Sequence, residues 1–177
     1  MTDNPSPEFS VIRKLTEINP SVEKGSIAAN AEQRTALAKR FSLRSIQSLN
    51  ASFALRPQAE KISFSGTISS NLIQICAISG QDLPIQLNEK FDIAFIHQVA
   101  PSLEEQEIEL TADDCDVVEF DGQQIDLGEA IAQTLFLALD PYARAPNAQE
   151  VAREKGLKSA EEVGPFSALA ALKDKLS

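Results

Sequence analysis

Long runs in the middle of the chain alternate apolar and polar residues, which is the pattern of half-buried β-strands. Apolar residues occupy alternate positions in Leu49–Leu55 and, after a turn near Pro57, most even positions in Ile62–Leu72. These two runs predict a long antiparallel hairpin. A third run, Leu83–Phe95, is apolar mainly at odd positions and predicts two more strands, with an interruption at Asn88.

Apolar residues at helical spacing predict four helices. The first covers residues 31–41, where Asn30 and Gln33 form a capping-box pattern at its start. The second runs from Leu127 to about Leu139 and ends before Pro141, because the residue before a proline disfavours the α region. The other two are expected over residues 147–155, ending at Gly156, and from Pro165 onward, with Phe166, Leu169 and Leu172 on the apolar face.

Short strands are also expected near Phe9–Leu15 and Val117–Phe120, and Asp121-Gly122 predicts a turn into residues 124–126. The fold prediction is a single α+β domain over residues 9–177, with an antiparallel sheet covered by three or four helices. Residues 1–8 are expected to form a flexible tail. The 177 residues and 43% hydrophobic content suit one core, and no apolar run reaches the length of a membrane span. We therefore expect a cytoplasmic protein.

Charge is unevenly distributed along this chain, whose net charge is −10. Residues 62–140 contain one Lys/Arg and fifteen Asp/Glu, a net charge of −14. This acidity repels a phosphate backbone, so any nucleic-acid contact is expected from the terminal thirds. An ordinary solvated surface that aids solubility is the other interpretation. Glu104, Glu105 and Glu107, in an expected acidic loop near residues 98–107, are candidate contacts for a basic protein partner.

Basic residues cluster along and just beyond the first predicted helix. Arg34, Lys39, Arg40 and Arg44 could bind phosphates there, with Arg56 on a neighbouring strand. The same residues are also compatible with the ordinary polar face of an amphipathic helix. Few aromatic residues accompany them, and the pattern assigns most phenylalanines to the core.

Catalytic and metal chemistry have little support in the sequence. Cys76, His97 and Cys115 are too widely separated for the paired spacing of a zinc site, and the carboxylates around Cys115 are typical of a solvated turn. No glycine-rich phosphate loop is present. A thiol or hydrolytic enzyme would require His97 within hydrogen-bond reach of a cysteine. We expect no cofactor and no dedicated metal site.

Three segments of the chain resemble the YceD family, the large ribosomal RNA subunit accumulation proteins. They are QICAISGQDLPIQL at residues 74–87, IDLGEAIAQTLFLALDP at residues 125–141 and GPFSALAALKDKL at residues 164–176. Many family members have a Cys-x-x-Cys pair at the first segment, whereas this chain has Cys76 and Ser79. Because serine is a poor zinc ligand, we expect no stoichiometric zinc.

The resemblance implies a non-enzymatic ribosome-biogenesis factor that supports the synthesis, processing or stability of 23S ribosomal RNA. Two modes of action stay open from the residues. One is direct contact with ribosomal RNA through the basic cluster. The other is an acidic surface that binds a basic large-subunit ribosomal protein, which uses the charge of the chain better and should weaken with salt. We expect no membrane partner, and the sequence leaves the oligomeric state open.

Overall fold

The computed structural model describes residues 7–59, 61–97, 116–120 and 122–157. Of these residues, 47% lie in strands and 24% in helices. The strands are β1 Ile12–Lys14, β2 Glu23–Ala28, β3 Ser45–Pro57, β4 Lys61–Ile75, β5 Asp82–His97, β6 Asp116–Phe120 and β7 Gln124–Asp126; the helices are α1 Ala31–Arg40, α2 Leu127–Leu137 and α3 Ala148–Glu154, with a 3-10 turn at Leu15–Glu17.

The main sheet has five strands in the order β2-β3-β4-β5-β6, and β1 pairs with β7 in a small antiparallel sheet. The predicted hairpin is confirmed, because β3 and β4 are antiparallel from Pro57↔Ile62 to Ser45↔Ile73. Between β3 and β4 the register shifts once, at Ile46/Ser48.

The prediction of an antiparallel sheet covered by three or four helices is wrong. β6 runs parallel to β5, from Ile93↔Asp116 to His97↔Phe120, so the sheet is mixed. The joining segment, residues 98–115, exceeds the dozen residues that a parallel connection needs. The described residues contain three helices, and α1 and α2 pack on the apolar side of the sheet. A sheet with strictly alternating strands can leave its polar side in water, so no second helical layer is required.

The described residues form two compact units, one within residues 7–74 and 84–140 and the other within residues 75–83 and 141–157. The core of the first unit consists of alternate side chains of the sheet and the inner faces of α1 and α2. Its fully buried members include Leu37, Leu49, Leu55, Phe64, Ile68, Leu72, Phe95, Leu127, Ile131 and Leu135. In the second unit, buried Cys76, Ala145 and Ala148 form a separate small cluster.

The region predicted to contain two strands with a break at Asn88 is one continuous strand, β5. Asn88 is exposed on the polar side, where its side-chain oxygen accepts a hydrogen bond from Ser69 Oγ at 3.1 Å. A polar side chain at this position therefore fits an outward-facing strand residue and does not interrupt the pairing. Of the tail predicted over residues 1–8, residues 1–6 lie outside the described residues, and Glu8 forms an ion pair with Arg40. The closing helix predicted from Pro165 also lies outside the described residues.

Candidate functional site

Three of the predicted basic residues, Arg34, Lys39 and Arg40, lie on α1, and Arg44 follows it. Both Arg40 and Arg34 bond to other residues of the protein. Arg40 forms a bidentate ion pair with Glu129 of α2, with nitrogen-to-oxygen distances of 2.7 and 2.9 Å, and a second pair with Glu8 at 3.1 Å. The hydrogen bond to Glu129 raises the pKa of Arg40 above its ordinary value. Arg40 thus joins α1, α2 and the N-terminal segment, and phosphate binding would have to displace these carboxylates.

Arg34 is half-buried and donates a hydrogen bond from Nη1 to the carbonyl oxygen of Ala29 at 2.7 Å. This bond fixes the guanidinium at the N-terminal end of α1. Lys39 and Arg44 are exposed at the other end of the helix and just beyond it, and the backbone N–H of Arg44 donates to Ile73 O at 2.9 Å. Of the four predicted residues, Lys39, Arg40 and Arg44 are exposed and Arg34 is half-buried.

An exposed aromatic group lies next to this basic cluster, and the sequence pattern had assigned most phenylalanines to the core. The Phe41 and Phe136 ring centroids are 5.2 Å apart, and the Arg40 guanidinium lies 5.5 Å from the Phe41 centroid. Phe136 is 54% exposed and Leu137 is 75% exposed. These residues surround a shallow pocket of about 340 Å³. The signal in the sequence was the position of Phe136 one residue beyond buried Leu135, on the outward side of α2.

The predicted acidic contacts Glu104, Glu105 and Glu107 lie outside the described residues. Acidic side chains do occur in a cleft of about 460 Å³ bordered by β6, β7 and α2. Two of them have structural roles, because Asp126 caps α2 and Glu129 pairs with Arg40. Glu119 is the third acidic residue of this cleft.

The turn that contains Cys76 belongs to the second unit. Cys76 is 2% exposed, and its Sγ accepts hydrogen bonds from the backbone N–H groups of Ala145 at 3.3 Å and Ser79 at 3.4 Å. The Ser79 side chain, together with these backbone donors, lowers the pKa of Cys76 to about 6. Ser79 thus acts as a hydrogen-bond donor to the sulfur.

The residues considered for metal binding and catalysis have other contacts. The His97 ring packs edge-on against Phe120, with centroids 5.1 Å apart. Cys115 lies outside the described residues. Within the described ranges, no three His, Cys, Asp or Glu side chains are grouped closely enough to bind a metal ion. No α-helix there is long and apolar enough to cross a membrane.

The sequence profile of the family described as "Large ribosomal RNA subunit accumulation protein YceD" matches residues 64–173, more than half of the chain. The chain belongs to the YceD family. The matched range begins inside β4 and includes β5, β6, β7 and all of α2 and α3. The elements β1, β2, α1 and β3 precede it, so the basic cluster on α1 lies outside the part that defines YceD membership. No curated protein and no solved structure matches this chain.

Proposed function

We propose that this protein supports the synthesis, processing or stability of 23S ribosomal RNA as a non-enzymatic binding factor. The observation that carries the proposal is the YceD match over residues 64–173, because the family description refers to accumulation of the large-subunit RNA. That description names an effect on an RNA and no chemical reaction. A binding role in the cytoplasm, where ribosomal subunits are assembled, is the simplest function of this kind.

Direct contact with ribosomal RNA is the first mode of action that we propose. Exposed Lys39 and Arg44 support it, since exposed cationic side chains can bind phosphate oxygens. Arg34 and Arg40 are bonded within the protein and would have to exchange those partners for phosphate. In this mode they contribute mainly by positioning α1.

A second mode, binding of a basic large-subunit ribosomal protein, is favoured by the net charge of −14 over residues 62–140. Complementary potentials accelerate encounter between such partners and lose strength as salt rises. Glu104, Glu105 and Glu107 are the proposed contacts. Their charge reversal should reduce retention of the basic partner and leave RNA binding unchanged.

The test compares cells that lack the protein with cells that carry it in a tagged form. We expect the 23S-to-16S RNA ratio to fall without the protein and to be restored by the tagged copy. Low-salt purification of the tagged copy should recover 23S RNA in the first mode, and a basic large-subunit protein without RNA in the second. An unchanged 23S-to-16S ratio would refute the proposed function.

A further inference from the structure

The outward side of the main sheet carries an unusual set of side chains for a protein with 26 Asp/Glu and 16 Lys/Arg. We call this surface the hydroxyl face and define it by a selected set of outward residues on β2 to β5. Its members are Lys24, Ser26, Asn50, Ser52, Ala54, Arg56, Lys61, Ser63, Ser65, Thr67, Ser69, Asn88 and Lys90. These positions alternate with the buried core residues of the same strands, so they point away from α1 and α2.

Strand register places the hydroxyl groups in rows across the sheet. Ser26 is opposite Ser52, and Ser52 is opposite Thr67, which makes one row over three neighbouring strands. Neighbouring strands are about 4.8 Å apart, so the row spans roughly 10 Å. A second row contains Asn50, Ser69 and Asn88. Such rows present several donors and acceptors at a regular spacing.

Cations border these rows. Lys24 lies opposite Ala54, and Arg56 lies opposite Ser63 on the next strand. Lys61 and Lys90 are also exposed, at the start of β4 and on β5. The ion pairs formed among the described residues involve none of these four cations.

Carboxylates are absent from the described outward positions of β2, β3 and β4. On β5 the outward positions include Asp82 and Asp92, and Asp92 lies two residues from Lys90 on the same side, so it borders the face; Glu119 lies on β6. The composition of the chain is acidic, so an ordinary solvated face would be expected to carry more Asp and Glu than Lys and Arg.

We propose that the hydroxyl face binds the sugar–phosphate backbone of RNA. Lysine and arginine neutralise phosphates, and serine, threonine and asparagine side chains donate to phosphate oxygens and exchange hydrogen bonds with 2′-hydroxyls. The face has no aromatic residue on which a base could stack, so it recognises backbone and not sequence. This inference rests on the proposed function and adds to it a surface that is distinct from the α1 cluster.

The experiment measures binding of purified 23S ribosomal RNA to the full-length protein as a function of salt. The face variant combines Lys24→Ala, Arg56→Ala and Lys90→Ala. Log affinity falls as log salt rises, and each phosphate contact adds about one to the magnitude of this slope. The face variant should therefore reduce the magnitude of the slope by roughly three. Its melting temperature should stay at the wild-type value, because the three side chains are exposed.

A matched control removes the same number of exposed cations elsewhere, as Arg144→Ala, Arg153→Ala and Lys155→Ala. This control separates a local contact from the general effect of three lost positive charges. A Lys39→Ala, Arg44→Ala variant compares the helix end with the sheet. The proposal is supported if the face variant loses the predicted slope while the control keeps it, and it is overturned if the control loses as much as the face variant.

The outcomes also separate this inference from the function on which it rests. If wild-type protein restores 23S levels and retains a basic ribosomal protein but binds no RNA, the hydroxyl face is not an RNA surface, while the proposed function stands. If wild-type protein fails to restore 23S levels, the proposed function itself fails. If the face variant binds RNA with the wild-type slope, the inference is overturned whatever its effect in cells.

Discussion

Replacement of Asp126 should destabilise the protein more than replacement of any ordinary exposed carboxylate. Its Oδ1 accepts hydrogen bonds from the backbone N–H groups of Gly128 at 2.9 Å and Glu129 at 3.2 Å, which caps α2. The same carboxylate accepts from Val11 N at 2.8 Å and from Ser10 Oγ at 2.7 Å. One side chain therefore starts a helix and attaches the N-terminal segment to it.

The magnitude follows from these two roles. Loss of an N-cap side chain costs about 1 kcal/mol, and a hydrogen bond to a charged group contributes about 1.5–3 kcal/mol. Because such terms are not additive and the site is only partly buried, we expect Asp126→Ala to lower the free energy of unfolding by about 2–4 kcal/mol. Asp126→Asn keeps one oxygen acceptor and should cost less, about 1–2 kcal/mol.

Urea denaturation followed by circular dichroism measures these changes. Asp92→Asn is the matched control, since it removes an exposed strand carboxylate and should change the free energy of unfolding by less than about 0.5 kcal/mol. Combining Asp126→Ala with Ser10→Ala tests their coupling, which should be about 1 kcal/mol or more. If Asp126→Ala costs no more than the Asp92 control, the assigned role of this carboxylate is wrong.

Two further predictions concern the centre of the sheet and the cysteine turn. Gly66→Ala should lower the free energy of unfolding by about 1–3 kcal/mol, because the new Cβ would lie 2.9 Å from Phe91 Cζ and against the Ser52 carbonyl oxygen. Ser65→Ala is the neighbouring control. Equal urea midpoints for the two variants would contradict the prediction. Ser79→Ala, in a Cys115→Ser background, should raise the pKa of Cys76 from about 6 toward 9.0, as measured by ultraviolet titration of the thiolate. In the protein that retains Ser79, the stabilisation from the folded thiolate should grow between pH 6 and pH 9.0 and be lost as pH falls through about 6. An unchanged titration midpoint in the Ser79→Ala variant would contradict the assigned hydrogen bond.

The sequence predicts best the features that depend on neighbouring residues. The capping box is confirmed, with Asn30 Oδ1 accepting from Gln33 N and Gln33 Oε1 accepting from Asn30 N, both at 2.9 Å. The helix begins at Ala31 as expected. The β3–β4 hairpin could be predicted for the same reason, because alternation within each strand and a short connection determine its pairing.

Features that depend on distant residues could not be predicted. Arg40 pairs with Glu129, 89 residues away, and only the fold reveals that this cation is already bound. The strand β2 was missed because Ile27 is its one buried residue and Gly25 interrupts the pattern. Gly25 is explained by the fold, because a Cβ there would lie 2.7 Å from Phe53 Cζ on the adjacent strand. The direction of β6 depends on its connection to β5, and alternation within β6 carries no information on direction.

The pairing of β1 with β7 has a consequence for the order in which the chain can fold during its synthesis. Residues 12–14 are synthesised more than one hundred residues before their partners, residues 124–126. At a synthesis rate of about 5–20 residues per second, β1 has no β7 to pair with for several seconds. Strands β2 to β5 follow one another in the sequence and can assemble during that time, so the N-terminal segment should dock after them, together with β7 and α2.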